Sequence, residues 1–95
     1  MPEIYAAERR ESIQREVRAA AVKEAARLAV RSMDAAAPIQ MREFIDQVED
    51  DVIGVFGQMG QPELSIDAGR DAMFYMLNKG ELSFNGEFML QRVDQ

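Results

Sequence analysis

Apolar residues between positions 39 and 59 recur at helical spacing. Met41, Phe44, Ile45, Val48, Val52, Val55, Phe56 and Met59 fall within about 60° of one line when successive residues turn by about 100°. The pattern predicts an amphipathic helix that turns an eight-residue stripe toward a core. Its polar side carries Glu43, Asp46 and Asp50, flanked by Glu49 and Asp51. Gly54 and Gly57 weaken the helix near its end, and the run from Gly57 to Pro62 reads as its terminator and loop.

Residues 5–35 predict one long helix. Ala, Arg, Glu and Gln dominate, and neither Gly nor Pro interrupts them before Pro38. Glu11/Arg15 and Glu24/Arg27 pair opposite charges at helical neighbour spacing, whereas Arg27/Arg31 repel. Two apolar stripes run along this helix. Ala6, Ile13, Val17, Ala20 and Leu28 share one side, and Val22, Ala26, Ala29 and Met33 lie opposite. A surface helix needs one buried stripe, so the second is either an accident of alanine, which is tolerated anywhere, or a contact between the helix and another surface. A helix of this length reaches about 46 Å at about 1.5 Å per residue. It therefore either breaks near Ser12 or Ala19 and folds back, or projects beyond the core and pairs with a second copy through Ile13, Val17, Ala20 and Leu28.

A third helix is predicted over 65–79. Ser65 suits its N-cap, and Asp67 and Lys79 suit its first and last turns. Ile66, Met73, Met76 and Leu77 face the core with Phe74 at the edge, and Gly80 closes the helix in the left-handed conformation. Residues 81–93 then read as a β-hairpin around Asn85-Gly86. A two-residue loop would place Leu82, Phe84, Met89 and Val93 on one face. A three-residue loop would align Phe84 with Phe88 and Leu82 with Leu90. The choice decides which aromatic side chain a partner meets.

The predicted fold class is mainly α with a small C-terminal β-hairpin, in a single domain over residues 1–95 whose core has three helices. Helix, helix, helix and hairpin follow the order of a winged helix-turn-helix domain. The segments Leu64-Ser65, Ala72-Met73, Met76-Leu77 and Gly80-Glu81-Leu82 resemble the end of that fold, and the resemblance covers residues 39–93. It implies a compact core with a wing, used on DNA or for protein contacts. In the family the third helix enters the major groove. Here its outward positions would be Asp67, Asp71, Tyr75, Asn78 and Lys79, so two carboxylates would meet phosphates with one lysine to offset them. The wing adds Arg92 but also Glu81 and Glu87. Binding to DNA is disfavoured on this reading, and a dimeric winged-helix transcription regulator is the alternative function.

Composition narrows the chemistry. The 95 residues include neither Cys nor His, and the net charge is −6. Disulfides, Cys/His metal centres and Ser–His–Asp or Cys–His catalysis are excluded by the residues themselves. No phosphate-binding glycine motif occurs, and no calcium-loop pattern accompanies the carboxylates Asp46, Glu49 and Asp50. We therefore expect no enzyme activity, no cofactor and no bound metal. The absence of a signal-like start or a long apolar run leads us to expect a cytoplasmic protein without membrane contact. Charge divides along the chain: residues 1–37 hold 7 basic and 6 acidic residues, and residues 38–95 hold 4 basic and 11 acidic.

The expected function is that of a small acidic interaction module that regulates or inhibits a larger protein or nucleic-acid machine. Its size and ligand-poor composition have the character of the compact adaptors and inhibitors encoded by phages and other mobile elements. The expected partner is a protein with a basic surface. It would be met by Glu43, Asp46, Glu49 and Asp50, with Tyr75 on the third helix and Phe88 on the hairpin. Self-association as a homodimer through the first helix is expected alongside.

Overall fold

A computed structural model describes the backbone of residues 2–94 and the side chains of residues 9–94. Helix α1 spans Pro2–Ser32, α2 spans Met41–Gln58 and α3 spans Ala68–Asn78. A 3-10 turn over Pro62–Ser65 leads into α3, and strands β1 (Leu82–Phe84) and β2 (Leu90–Arg92) pair antiparallel behind it. The fold is mainly α with a small C-terminal hairpin. Ile39, just before α2, adds a bridge to Leu90: its N–H donates to the Leu90 carbonyl at 2.9 Å, and the Leu90 N–H donates back at 2.7 Å. Helix, bridge, two helices and hairpin form an order compatible with a winged-helix-like arrangement.

Helix α1 is unbroken, which removes the folded-back alternative. It ends before residue 35 because Asp34 turns the chain: its Oδ1 accepts the Ala36 N–H at 2.9 Å, and its carbonyl accepts the Ala37 N–H at 3.0 Å. Arg92 covers the end of the helix by donating to the Met33 carbonyl at 3.1 Å. Of the two stripes, the one through Val22, Ala26, Ala29 and Met33 enters the core, widened by Ala25 and Val30. The opposite stripe is left in solvent, with Ile13 55%, Val17 38% and Leu28 50% exposed and Ala20 also exposed. The side chain of Ala6, placed on that stripe by the sequence, lies outside the described residues.

The shape follows from this helix. The molecule measures 55 × 23 × 19 Å with a radius of gyration of 15.5 Å. A compact chain of this length is expected near 12 Å. Among the described side chains, Val22 is the first buried along α1 and Arg18 the first hydrogen-bonded to the rest of the fold. The turns ahead of Arg18 thus reach past the three-helix body.

The core stripe of α2 is narrower than its apolar pattern. Phe44, Val48, Val52 and Phe56 are buried at i, i+4 spacing, with Ile45 half-buried beside them. Met41, Val55 and Met59 are exposed instead, because α1 and α3 cover only one side of α2. Two further positions differ in α3. Ser65 belongs to the 3-10 turn, where its hydroxyl donates to the Pro62 carbonyl at 2.6 Å, rather than capping the helix. Asp67 takes the N-cap place with φ of 60°, which turns Ile66 outward, 66% exposed rather than facing the core. Met73 and Met76 are buried, Leu77 packs half-buried on the core and Phe74 is exposed. Gly80 closes α3 with φ of 76°; the Glu81 N–H reaches the Met76 carbonyl at 3.0 Å and the Gly80 N–H reaches Leu77 at 3.1 Å.

The hairpin takes neither predicted register. Leu82 faces Arg92, Ser83 faces Gln91 and Phe84 faces Leu90. Asn85 sets this offset, since its Oδ1 accepts the N–H groups of both Glu87 (2.9 Å) and Met89 (3.0 Å), and Phe88 turns back with φ of 60°. Leu82 and Leu90 are consequently both buried, Phe84 sits at the edge of the same face, and Phe88 stands at the tip, 76% exposed.

Candidate functional site

The residues singled out in the sequence separate into three surfaces. The acidic one follows α2. Gly69 is buried where α3 crosses α2, and the crossing at Ile45 brings the start of α3 alongside the acidic turns. A depression of about 470 Å³ lies there, lined by Met41, Ile45 and Met73 on its apolar side and by Asp46, Glu49 and Asp67 on its acidic side. Arg42 and Arg70 border it, and Arg42 stands 4.0 Å from Asp46. A neighbouring depression of about 400 Å³ shares Glu49 and Asp67 and adds Asp50, Ile53 and Ile66. Asp46, Glu49 and Asp50 therefore edge two adjoining shallow depressions, together a groove of mixed apolar and charged lining. Glu43 is exposed on the same helix but lines neither depression. Ile53, Ile66 and Asp67 were not recognised as groove residues from the sequence: Ile53 lies off the apolar stripe of α2, and the left-handed residue Asp67 that turns Ile66 outward leaves no periodic trace.

A different surface holds Tyr75. Asp71 and Tyr75 do not point freely outward from α3, as expected from the sequence, but lean toward α1. Arg18 donates to Asp71 Oδ2 at 2.7 Å and to the carbonyls of Leu64 (2.9 Å) and Ile66 (3.0 Å), tying α1 to the 3-10 turn and to α3. One turn along, Lys23 Nζ lies 5.5 Å from the centroid of the half-buried Tyr75 ring, and Lys79 Nζ lies 5.2 Å from it. Partial burial pushes the Tyr75 hydroxyl up, but the nearby Lys79 ammonium and Arg27 guanidinium outweigh that and hold it below its ordinary value. Arg27 is shared with Glu24 at 3.2 Å. Tyr75 thus belongs to a basic cluster rather than to the acidic groove. The exposed positions left along α3 are Arg70, Phe74 and Asn78.

The third surface is the outer stripe of α1, where Ile13, Val17, Ala20 and Leu28 are open to solvent in the single chain. Phe88 lies apart at the hairpin tip, away from the groove lining. Arg92 is not free for a ligand in the way the sequence left open: it serves the end of α1 and pairs with Asp94 at 3.4 Å. Among the described residues no group of three acidic side chains is placed to hold a metal ion, and no helix is long and apolar enough to cross a membrane. Compared with protein-family models, with curated proteins and with solved structures, the chain finds no match.

Proposed function

We propose that the chain is a small non-catalytic interaction module that holds a basic, amphipathic segment of a protein partner along the α2/α3 groove and thereby regulates a larger machine. The supporting observation is the groove itself, where Met41, Ile45, Ile53 and Ile66 lie alongside Asp46, Glu49, Asp50 and Asp67. Apolar side chains provide burial, and a rim in which four carboxylates outnumber Arg42 and Arg70 selects and steers partners of the opposite charge. The groove is shallow, which suits a peptide or helix laid across it rather than an enclosed small molecule.

The test is a two-dimensional NMR titration with a Leu/Lys helical peptide and its Leu/Glu counterpart. The basic peptide is expected to move amides of residues 41–53 and 66–73 and to saturate. Glu49→Lys with Asp50→Lys should weaken it by at least about tenfold, the equivalent of roughly 1.4 kcal/mol. Equal binding of the acidic peptide, or shifts confined to α1 and the hairpin, sinks the proposal.

The bridge from Ile39 to Leu90 favours a second reading, a winged-helix DNA-binding regulator. Arg18 neutralises one of the two carboxylates on α3, and Arg70 stands exposed on the same helix. Duplex of mixed sequence, titrated at low and at high salt, distinguishes the readings: micromolar binding that falls steeply with salt supports DNA.

Either function would operate in a dimer built on the outer stripe of α1. Pairing Ile13, Val17, Ala20 and Leu28 with a second copy removes apolar surface from water at about 25 cal/mol per Å². Sedimentation equilibrium at tens of micromolar should give twice the chain mass, and Val17→Asp should return the monomer. A monomeric wild type excludes the dimer, and a dimer indifferent to Val17→Asp puts the interface elsewhere.

A further inference from the structure

We propose that the cluster of Lys23, Arg27, Tyr75 and Lys79 is a binding site for a single phosphate monoester, free or carried on a partner's side chain. The cluster joins α1 to the end of α3. Two ammonium groups stand within 5.5 Å of one ring centroid, and neither is among the four ion pairs of the described residues. That is an unusual arrangement in a chain of net charge −6, where carboxylates outnumber cations 17 to 11. Like charges held together repel, and the ring face offsets this only in part, since an exposed cation–π contact is worth about 0.5–1 kcal/mol. A bound dianion would offset the repulsion by meeting the two ammoniums and the phenol O–H, with the Arg27 guanidinium shared between it and Glu24.

The donors favour a monoester over other anions. A phosphate monoester carries about −1.5 to −2 charge and three acceptor oxygens at one point, which suits Lys79 and Arg27 beside the Tyr75 hydroxyl with Lys23 over the ring. A carboxylate offers less charge to the same donors. A nucleic-acid backbone brings a line of charges, and the excess of carboxylates on this chain opposes a polyanion more than a single small dianion. The lowered titration of the Tyr75 hydroxyl reports the same positive field. The site uses no residue of the α2/α3 groove, so it stands or falls independently of the proposed partner docking, although Lys23 and Arg27 share a depression with Ala20 of the outer stripe.

The experiment is an NMR titration of the full chain with inorganic phosphate and with a phosphoserine peptide, at constant ionic strength set with chloride. Saturable shifts are expected at residues 23, 27, 75 and 79. Lys23→Ala with Lys79→Ala removes two charged donors and should weaken binding by about 10–100-fold while the remaining spectrum stays that of the folded chain. Tighter binding of the phosphopeptide assigns the site to a modified partner, and equal binding assigns it to free phosphate. A second readout is the phenol absorbance of the Tyr5→Phe chain. Bound phosphate disfavours the phenolate, so the Tyr75 titration should move to higher pH as phosphate is added. Shifts that fail to saturate, an unchanged affinity in the double variant, a static Tyr75 titration, or duplex DNA displacing phosphate at lower concentration would each overturn the proposal.

Discussion

Phe44→Ala and Phe56→Ala should each lower the unfolding free energy by about 3–5 kcal/mol. Both rings are fully buried, at 0% exposure, and both lie on the one strip of α2 that meets α1 and α3 together. Removing either ring loses its transfer free energy and leaves a cavity that helices pinned on two sides cannot close. Domains of this size unfold with about 5–15 kcal/mol, so one such variant removes a large part of the total. Urea unfolding followed by circular dichroism measures the loss as a lower midpoint at unchanged slope. Val55→Ala is the internal comparison. Val55 carries the same helical periodicity but is 48% exposed, and its truncation should stay within about 0.5 kcal/mol of wild type. Equal losses at Phe56 and Val55 would mean that α2 is rotated from the position described.

The contrast between these residues marks how far the sequence could be read. Helix positions followed from period and propensity, and Phe44, Val48, Val52, Phe56 and Met73 were correctly expected in the core. The width of a stripe was not legible. Periodicity places Met41, Val55 and Met59 beside the core residues, but only the placement of α1 and α3 determines how much of that arc is covered. In α1 both stripes were legible, and the one through Val22, Ala26, Ala29 and Met33 is buried, where Ala25, Ala26 and Ala29 let the helix approach closely. Hairpin register escaped because Asn-Gly signals a turn without showing that Asn85 would use its side chain to hold a longer one.

The site was legible in parts. The acidic side of α2 could be named from spacing alone. The rest of the groove lining could not, since Ile66 and Asp67 join it through a left-handed residue. Tyr75 was picked out, but the basic company it keeps was not. Its neighbours Lys23 and Arg27 lie about fifty positions away in sequence, and no local pattern brings them to it. The same holds for Arg18, which in the sequence is one of seven basic residues in the first 37 and in the fold becomes the tie between α1, the 3-10 turn and α3.

Gly69→Ala should destabilise the chain by about 2–3 kcal/mol, against the ordinary preference of helices for alanine. Gly69 is buried in the first turn of α3, where that helix crosses α2. A Cβ there would lie 2.7 Å from Ile45 Cγ2 and 2.8 Å from Ile45 Cα, and would press on the Ile45 carbonyl oxygen as well. A flexible side-chain tip can yield to such a contact, but the backbone of a packed helix cannot, so the helices must separate. Separation would loosen Met73 and Ile45 together and widen the groove between Asp46, Glu49 and Asp67. The variant should therefore also bind the basic peptide less tightly, although no rim charge has changed. Gly54 supplies the opposite sign. A Cβ at Gly54 meets nothing within 4 Å, so Gly54→Ala in the same helix system should gain up to about 1 kcal/mol. Urea midpoints of the two variants should move in opposite directions from wild type. If both rise, α2 and α3 do not approach as closely as Gly69 implies, and the groove they form loses its geometric basis.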